Sequence, residues 1–144
     1  MDKLSTERRS ANMRQIRSEN TAPELLLRKM LHRLGYRFRV HRKDLPGKPD
    51  LVFPSRRKVI FVHGCFWHQH SGCREGRVPQ SRRDYWEPKL ARNRQRDAAA
   101  QTALAALGWK TLVLWECDIK DTAAAVQRAG AFLGPVRQNQ GNEA

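Results

Sequence analysis

The fold is decided by residues 58–73, which read KVIFVHGCFWHQHSGC. The first part of this stretch is apolar and β-branched, which is typical of a strand in the centre of a sheet. The part that follows, residues 63–73, contains three of the five histidines and two of the three cysteines of the chain. This metal loop, as we call residues 63–73, supplies more metal ligands than one tetrahedral ion can use. At least one histidine is therefore left for other chemistry.

Length and composition predict a single domain outside the membrane. A chain of 144 residues can bury about 68–70% of the surface that its unfolded form exposes. It contains no apolar run of the roughly 20 residues that a membrane helix needs. The opening residues MDKLSTERRS lack the apolar segment of a signal peptide. We therefore expect a cytoplasmic protein, in which an odd number of cysteines favours a thiolate metal site over disulfides.

The charge of the chain favours nucleic acid as a partner. Lysine and arginine number 28 against 14 acidic residues, which gives a net charge of +14 and a pI of about 10.8. Such a field favours a polyanion, although a generally basic surface or attraction to anionic lipid would also account for it. A lipid-binding protein should have a basic amphipathic helix with a wide apolar face. The basic residues are instead spread over the segments 1–20, 37–43, 56–58 and 74–96.

The pattern along the chain predicts an α/β domain over residues 21–134, in the order α-β-β-β-α-β-α. Residues 1–20 form a basic arm, and residues 135–144 form a polar tail that we expect to be disordered. Thr21, Pro23 and Glu24 are typical of a helix start, and Gly35 of its end. The predicted strands are 36–41, 50–53, 58–63 and 111–115, and the other predicted helices run from 86 or 89 to 107 and from 121 or 122 to 133.

The sheet is predicted to be mixed and flanked by helices. We expect the strands 59–63 and 111–115 to be parallel neighbours. In that case Cys65 and Cys117, which each follow one of these strands, emerge at the same edge of the sheet. The sequence then predicts a closed structural zinc site formed by Cys65, His70, Cys73 and Cys117. The alternative for Cys117 is a buried free thiol, since cysteine often packs as a small apolar residue.

A second motif, Pro49-Asp50-Leu51-Val52 followed by the strand 58–63, resembles nucleases of the PD-(D/E)xK type. In those enzymes the aspartate binds Mg²⁺, and a second acid and a lysine lie on the next strand. Residues 61–63, Phe-Val-His, offer neither the second acid nor the lysine. Either another group acts as the base, or the chain is not a nuclease. Asp50 after a proline is also a common turn residue.

Five short runs together resemble the very short patch repair endonucleases, the Vsr family. They are NMR at 12–14, TAPE at 21–24, LPGKPD at 45–50, HGCFWH at 63–68 and WEC at 115–117. The likeness extends over about residues 8–120. It implies a PD-(D/E)xK-like fold and an enzyme that nicks DNA on the 5′ side of the thymine in T:G mismatches, which arise when 5-methylcytosine deaminates.

The resemblance also implies roles for individual residues. Asp50 and the backbone carbonyl of Val62 are expected to bind Mg²⁺, and His68 to activate the attacking water. A neutral imidazole, with a pKa near about 6.5, suits that task at neutral pH. Glu24 and His63 match auxiliary active-site positions. Glu24 can alternatively be only a capping partner, and His63 can be structural, hydrogen-bonded to Asp50 or Glu24.

Aromatic residues of the metal loop are predicted to enter the DNA. Phe66, Trp67 and Trp86 match positions at which the family inserts rings beside the mismatch. A loop held by zinc can keep such rings outside the core, ready to stack between base pairs. The alternative is that Trp67 or Trp86 packs against the following helix, as we expect of Trp109 and Trp115 in the core. Further expected DNA contacts are Met13, Arg14, Lys89 and Asn93.

The sequence thus predicts a monomeric, Mg²⁺-dependent and zinc-stabilised enzyme acting on double-stranded DNA with a T:G mismatch. We expect it in the bacterial cytoplasm at the nucleoid, with mismatch-repair proteins and a DNA polymerase acting downstream, and with no membrane partner. Two alternatives remain. One is a zinc-stabilised endonuclease of the restriction or homing type without mismatch preference. The other is a DNA-binding module without catalysis, which would have no reason to place Asp50 close to His68.

Overall fold

The computed structural model describes residues 21–136, which form a four-stranded mixed sheet in the order β1-β2-β3-β4. The first two pairings are antiparallel, and β3 pairs with β4 in parallel. The predicted arm over 1–20, including Met13 and Arg14, and residues 137–144 of the predicted tail lie outside the described residues. The strands are β1 (Arg39–Val40), β2 (Leu51–Phe53), β3 (Lys58–His63) and β4 (Lys110–Trp115).

Helices cover both faces of this sheet. They are α1 (Ala22–Leu34), α2 (Arg83–Ala106), α3 (Glu116–Ile119) and α4 (Thr122–Leu133). On one face, Ile60 of β3 packs in a core cluster with Leu27 of α1 and Leu133 of α4. On the other face, Val59 and Phe61 pack with side chains that include Leu104 of α2 and Trp109. The alternation along β3 therefore fills two apolar layers, and the predicted α/β architecture with a mixed sheet flanked by helices is confirmed.

The parallel pairing of β3 with β4, predicted from the sequence, is also confirmed. His63 lies opposite Trp115 at the last register position. The chain therefore leaves both strands at the same edge of the sheet, through Gly64 and Cys65 on one side and through Glu116 and Cys117 on the other. This edge is where the metal loop meets α3.

Two predicted elements differ from the structure, and one helix was not predicted. The strand expected over 36–41 is shortened to Arg39–Val40, because His41 turns into the left-handed region with a φ of 51°. The second helix begins at Arg83, several residues before the predicted start, and it includes Pro88. The short helix Glu116–Ile119, which carries Cys117, was not predicted. A helix of four residues is too short for hydrophobic periodicity to be visible.

Among residues 21–136 the structure contains no helix that is both long enough and apolar enough to cross a membrane.

The turn before β2 requires glycine at position 47. Gly47 has a φ of +77°, and a Cβ added there would lie 2.7 Å from the Cβ of Ala100 in α2. Gly72 in the metal loop has the same φ of +77°, but a Cβ added there would have no neighbour within 4 Å. The two glycines thus differ in packing and share their backbone conformation.

We predict that Gly47→Ala lowers the free energy of unfolding by about 1–3 kcal/mol, since it combines left-handed strain with a steric clash. Gly72→Ala carries the strain alone and should cost less. Denaturant unfolding of the two variants beside the parent measures the difference. Equal losses of stability would contradict a close approach of the turn to α2.

Candidate active site and metal centre

A cleft of about 530 Å³ opens beside the carboxyl end of β3. It collects side chains from the start of α1, the turn before β2, the end of β3, the metal loop and the middle of α2. Its polar lining includes four acidic groups and two histidines. These are Glu24, Asp50, Asp97, Glu116, His63 and His68.

Asp50 is fixed by the backbone of β3. Its Oδ2 accepts a hydrogen bond from the backbone N–H of Val62 at 2.6 Å. In an extended strand the N–H and C=O of one residue point to the same side, so the Val62 carbonyl also faces Asp50. Burial raises the pKa of Asp50 to about 7, with a smaller contribution from the nearby Glu24 carboxylate. A cation beside Asp50 would favour its ionised form.

Glu24 reaches the same place from α1. Its backbone N–H donates to Thr21 Oγ1 at 3.4 Å, as expected of a capped helix start. Its carboxylate is 2% exposed, with Oε2 lying 2.6 Å from His41 Nε2 and 3.8 Å from Arg28 Nε. The capping role and the active-site position considered for Glu24 are therefore compatible. The ligand atoms of Glu24, His41 and Asp50 lie within 4.8 Å of one another.

His41 was missed by the sequence analysis. It falls in an alternating segment, where a polar residue is expected on the exposed face of a strand. The signal that could have revealed it is the proximity of a rare residue type to the PD motif, since the chain has only five histidines.

His68 is held by a carboxylate of α2. Its Nδ1 lies 2.5 Å from Asp97 Oδ2, and both side chains are partly exposed to the cleft. The ring of His63 stacks on the ring of His68 at 3.8 Å and an interplanar angle of 4°. Asp97 was not predicted as a site residue, although it is the only acid between residues 88 and 106 of the sequence. Together these contacts fix both the plane and the tautomer of the His68 imidazole.

His63 is buried and neutral. Desolvation, together with the charge of the neighbouring His68, lowers its pKa to about 4. Its Nδ1 is buried with no hydrogen-bond partner among residues 21–136, so this atom makes no bond to Asp50 or Glu24. Its ring makes edge and tilted contacts with Trp115 and Phe61. The position of His63 thus supports the orientation of His68.

The four predicted zinc ligands come together at the sheet edge. One donor atom from each of Cys65, His70, Cys73 and Cys117 lies within 4.8 Å of the others. His70 Nδ1 is 3.2 Å from Cys117 Sγ and 3.8 Å from Cys65 Sγ. The His70 ring stacks on Trp115 at 4.2 Å, which sets the direction of its Nδ1. Three thiols and an imidazole in this arrangement suit a tetrahedral ion.

Trp67 and Trp86 pack in the interior of the free protein, as the alternative to exposed rings expected, and their entry into DNA stays a prediction. Trp67 is 5% exposed and Trp86 is 8% exposed, and both pack on Leu90. Phe66 is half-buried and makes edge contacts with both tryptophans at 5.1 and 5.2 Å. We call these four residues the aromatic cluster. Asn93 Nδ2 donates to the Trp67 carbonyl at 3.2 Å, which ties the loop to α2 beside these rings.

The remaining expected DNA contacts of the described residues lie on α2. Lys89 is partly exposed, and its ammonium group lies 5.9 Å from the centroid of the Tyr85 ring. Asn93 lies one turn further along the helix, among the residues that line the cleft. Both side chains are therefore on the side of α2 that faces the metal loop or its rim.

Comparison with known proteins places the chain in one family. Residues 1–74 match the family model of the DNA mismatch endonuclease Vsr. The chain is 58% identical over 134 residues to the type II nicking enzyme V.XorIIP of Xanthomonas oryzae pv. oryzae, covering 93% of this chain and 98% of that protein. It is 39% identical over 136 residues to the type II nicking enzyme V.NmeAIP of Neisseria meningitidis, covering 94% and 96%.

A third relative is the DNA mismatch endonuclease Vsr of Escherichia coli (strain K12). It is 44% identical over 112 residues, which covers 78% of this chain and 71% of that protein. The chain belongs to the Vsr family of DNA endonucleases, as its motifs predicted. The alternative of a DNA-binding module without catalysis is therefore excluded.

Proposed function

We propose that this endonuclease requires Mg²⁺ and nicks double-stranded DNA on the 5′ side of the thymine in T:G mismatches. The main support for the proposal is that Asp50 and His68 line the same cleft and that Asp97 contacts His68 Nδ1. The mismatch in the substrate is supported by the description of the family and by the name of the Escherichia coli relative. The competing proposal is the same chemistry without mismatch preference.

The residues around Asp50 fit a hard divalent cation. Asp50 offers carboxylate oxygen, the Val62 carbonyl faces the same side, and Glu24 adds a second carboxylate nearby. Oxygen donors of this kind suit Mg²⁺. When bound, Mg²⁺ would stabilise the negative charge that develops on the phosphate oxygens during hydrolysis. The role of Val62 needs only its backbone.

His68 is suited to act as the general base. An imidazole that donates its Nδ1–H to Asp97 has its lone pair on Nε2, which can accept a proton from water. Asp97 then stabilises the imidazolium that forms, in the way that carboxylates orient histidines in other hydrolases. His63 keeps the ring plane fixed by stacking. A histidine held in this manner replaces the lysine that the PD motif of this chain lacks.

The cluster of Cys65, His70, Cys73 and Cys117 fits Zn²⁺ in a structural role. Four protein ligands leave no open position, which is the pattern of structural sites. The ion would tie the metal loop to α3 and thereby fix the place of His68. We propose a monomer whose downstream partners are mismatch-repair proteins and a DNA polymerase.

We propose that the aromatic cluster and α2 recognise the mismatch. Phe66 and Trp67 line the cleft, so their rings lie beside the place where DNA must bind for chemistry. Insertion into the DNA requires the rings to leave the cluster. Unstacking a base step costs about a few kcal/mol of free energy, and this cost is lowest where the base pair is mismatched. Lys89 and Asn93, with Met13 and Arg14 of the arm, are proposed to contact the DNA around this point.

Asp50→Ala should lower the nicking rate by about a thousandfold or more, since the stabilisation of several kcal/mol that a catalytic cation provides is lost. DNA affinity should remain close to that of the parent. Asp44→Ala is the matched control, because Asp44 is exposed and paired with Arg42 at the surface. Single-turnover nicking and gel-shift titration on one T:G duplex measure the two quantities. Retained cleavage by Asp50→Ala would refute the placement of the active site.

Cys117→Ser should lower the melting temperature by more than about 5 °C and reduce the zinc content, because metal binding is coupled to folding. Ser71→Ala, an exposed position of the same loop, should change neither. Elemental analysis and thermal unfolding with and without a chelator are the measurements. Natively purified parent protein without zinc would contradict the proposal.

Truncation of a tryptophan ring of the aromatic cluster should reduce the preference for the mismatch. Stacking on an aromatic side chain is worth about 1–3 kcal/mol per base, so Trp67→Ala or Trp86→Ala should lower the ratio of T:G to T:A nicking by about tenfold. Leu90→Val loosens the same cluster without removing a ring and should keep the parent ratio. Raising the salt concentration should weaken binding to both duplexes together. If folded Trp67→Ala and Trp86→Ala keep the parent ratio, the rings belong only to the core.

A further inference from the structure

The imidazole of His41 lies between the two carboxylates of the active site. Its Nε2 is 2.6 Å from Glu24 Oε2 and 3.8 Å from Asp50 Oδ1. The three side chains come from three different elements: α1, the end of β1 and the turn before β2. Because Asp50 is already bonded through its other oxygen to Val62, the histidine occupies the side of this carboxyl group that faces Glu24.

The backbone at His41 is held in an uncommon conformation. Its φ of 51° lies in the left-handed region, which few residues with a Cβ adopt. Its N–H donates to the backbone carbonyl of Asp50 at 3.2 Å. The same residue is thus tied to Asp50 through the main chain and to Glu24 through the side chain. Such strain is typical of functional sites, where the surrounding structure compensates for it.

The buried carboxylate of Glu24 and the partly buried carboxylate of Asp50 lie close enough to repel each other, and the proximity of Glu24 raises the pKa of Asp50. We propose that His41 is a positioning residue that holds the Glu24 carboxylate against Asp50, so that the two acids act together on one divalent cation. Without this contact Glu24 would turn away from Asp50 towards Arg28, which lies one helical turn further along α1. The inference rests on the proposed cation at Asp50, and it adds a residue that acts through Glu24.

The test uses the full-length, zinc-loaded protein and Mn²⁺ as the probe, in place of Mg²⁺ and in the absence of DNA. The signal of free Mn²⁺ in electron paramagnetic resonance reports the dissociation constant. Asp50→Asn serves as the reference for loss of the cation site. His32→Ala is the matched control, since His32 is an exposed histidine on α1.

His41→Ala should weaken Mn²⁺ binding by about tenfold, as expected when an outer partner of a metal-binding carboxylate is removed. His41→Gln should bind Mn²⁺ within about twofold of the parent, because its amide N–H can donate to Glu24 as the imidazole does. Alanine and glutamine both have a Cβ, so the two variants have the same backbone strain at position 41. Unchanged Mn²⁺ affinity in His41→Ala would overturn the proposal.

A double-mutant cycle separates positioning from direct binding. If His41 acts through Glu24, adding His41→Ala to Glu24→Gln should cause no further loss of Mn²⁺ affinity. A further loss of the full size seen in the single variant would overturn the positioning role and make His41 itself a ligand. In nicking assays the Mg²⁺ concentration for half-maximal rate should rise in His41→Ala, while the rate at saturating Mg²⁺ stays near that of the parent.

Asp50→Asn distinguishes failure of the proposed cation site from failure of the proposed role of His41. If Asp50→Asn binds Mn²⁺ as the parent does, the cation is not at Asp50 and the proposed function itself is wrong. If Asp50→Asn loses Mn²⁺ while His41→Ala does not, only the role of His41 is refuted.

Discussion

The parallel pairing of β3 with β4 is the constraint on which the rest of the structure depends. Parallel strands need a long crossover, and here α2 provides it across one face of the sheet. The pairing brings the metal loop after β3 and α3 after β4 to one edge, so that thiols distant in sequence share one site. The crossover helix in turn returns over the loop and delivers Asp97 to His68. The cluster of Cys65, His70, Cys73 and Cys117 and the pair of His68 with Asp97 therefore both depend on one strand register.

The charge of the cleft is opposite in sign to the net charge of the chain. The chain has a net charge of +14, whereas the cleft is lined by four acids, Glu24, Asp50, Asp97 and Glu116, and by two basic side chains, Lys48 and Arg96. Phosphate would be repelled from Glu24, Asp50 and Asp97 unless cations intervene. The basic side chains that attract DNA are therefore mainly those on the surface around the cleft. This arrangement leaves the interior of the cleft for the proposed cation and for the proposed proton transfer to His68.

The sequence predicts those parts of the site that depend on residues close together in the chain. The continuous apolar, β-branched run of β3 and the density of cysteine and histidine after it identify the sheet edge and its ligands. Contacts that depend on tertiary packing leave no such pattern. Asp97 sits on a long charged helix, where an acid is ordinarily a solvated residue, and only the docking of α2 brings it to His68. His41 is similar, because its left-handed backbone is not encoded by a glycine. The burial of Trp67 and Trp86 could be given from the sequence only as an alternative, since a ring suited to stack on bases is equally suited to stack on its neighbours.

The distance in sequence between Cys65 and Cys117 has a consequence for the unfolded chain. A shared ion would close a loop that contains the whole of α2 and β4, much as a disulfide would. Closing a loop of this length in a flexible chain has an entropic cost that grows only slowly with further residues. Insertions in the segment before α2 would thus change the entropy of closure little, whereas insertions within α2 would change the helical phase and move Asp97 away from His68. A shared ion would therefore permit variation in the length of the segment before α2 while Cys65 and Cys117 stay joined.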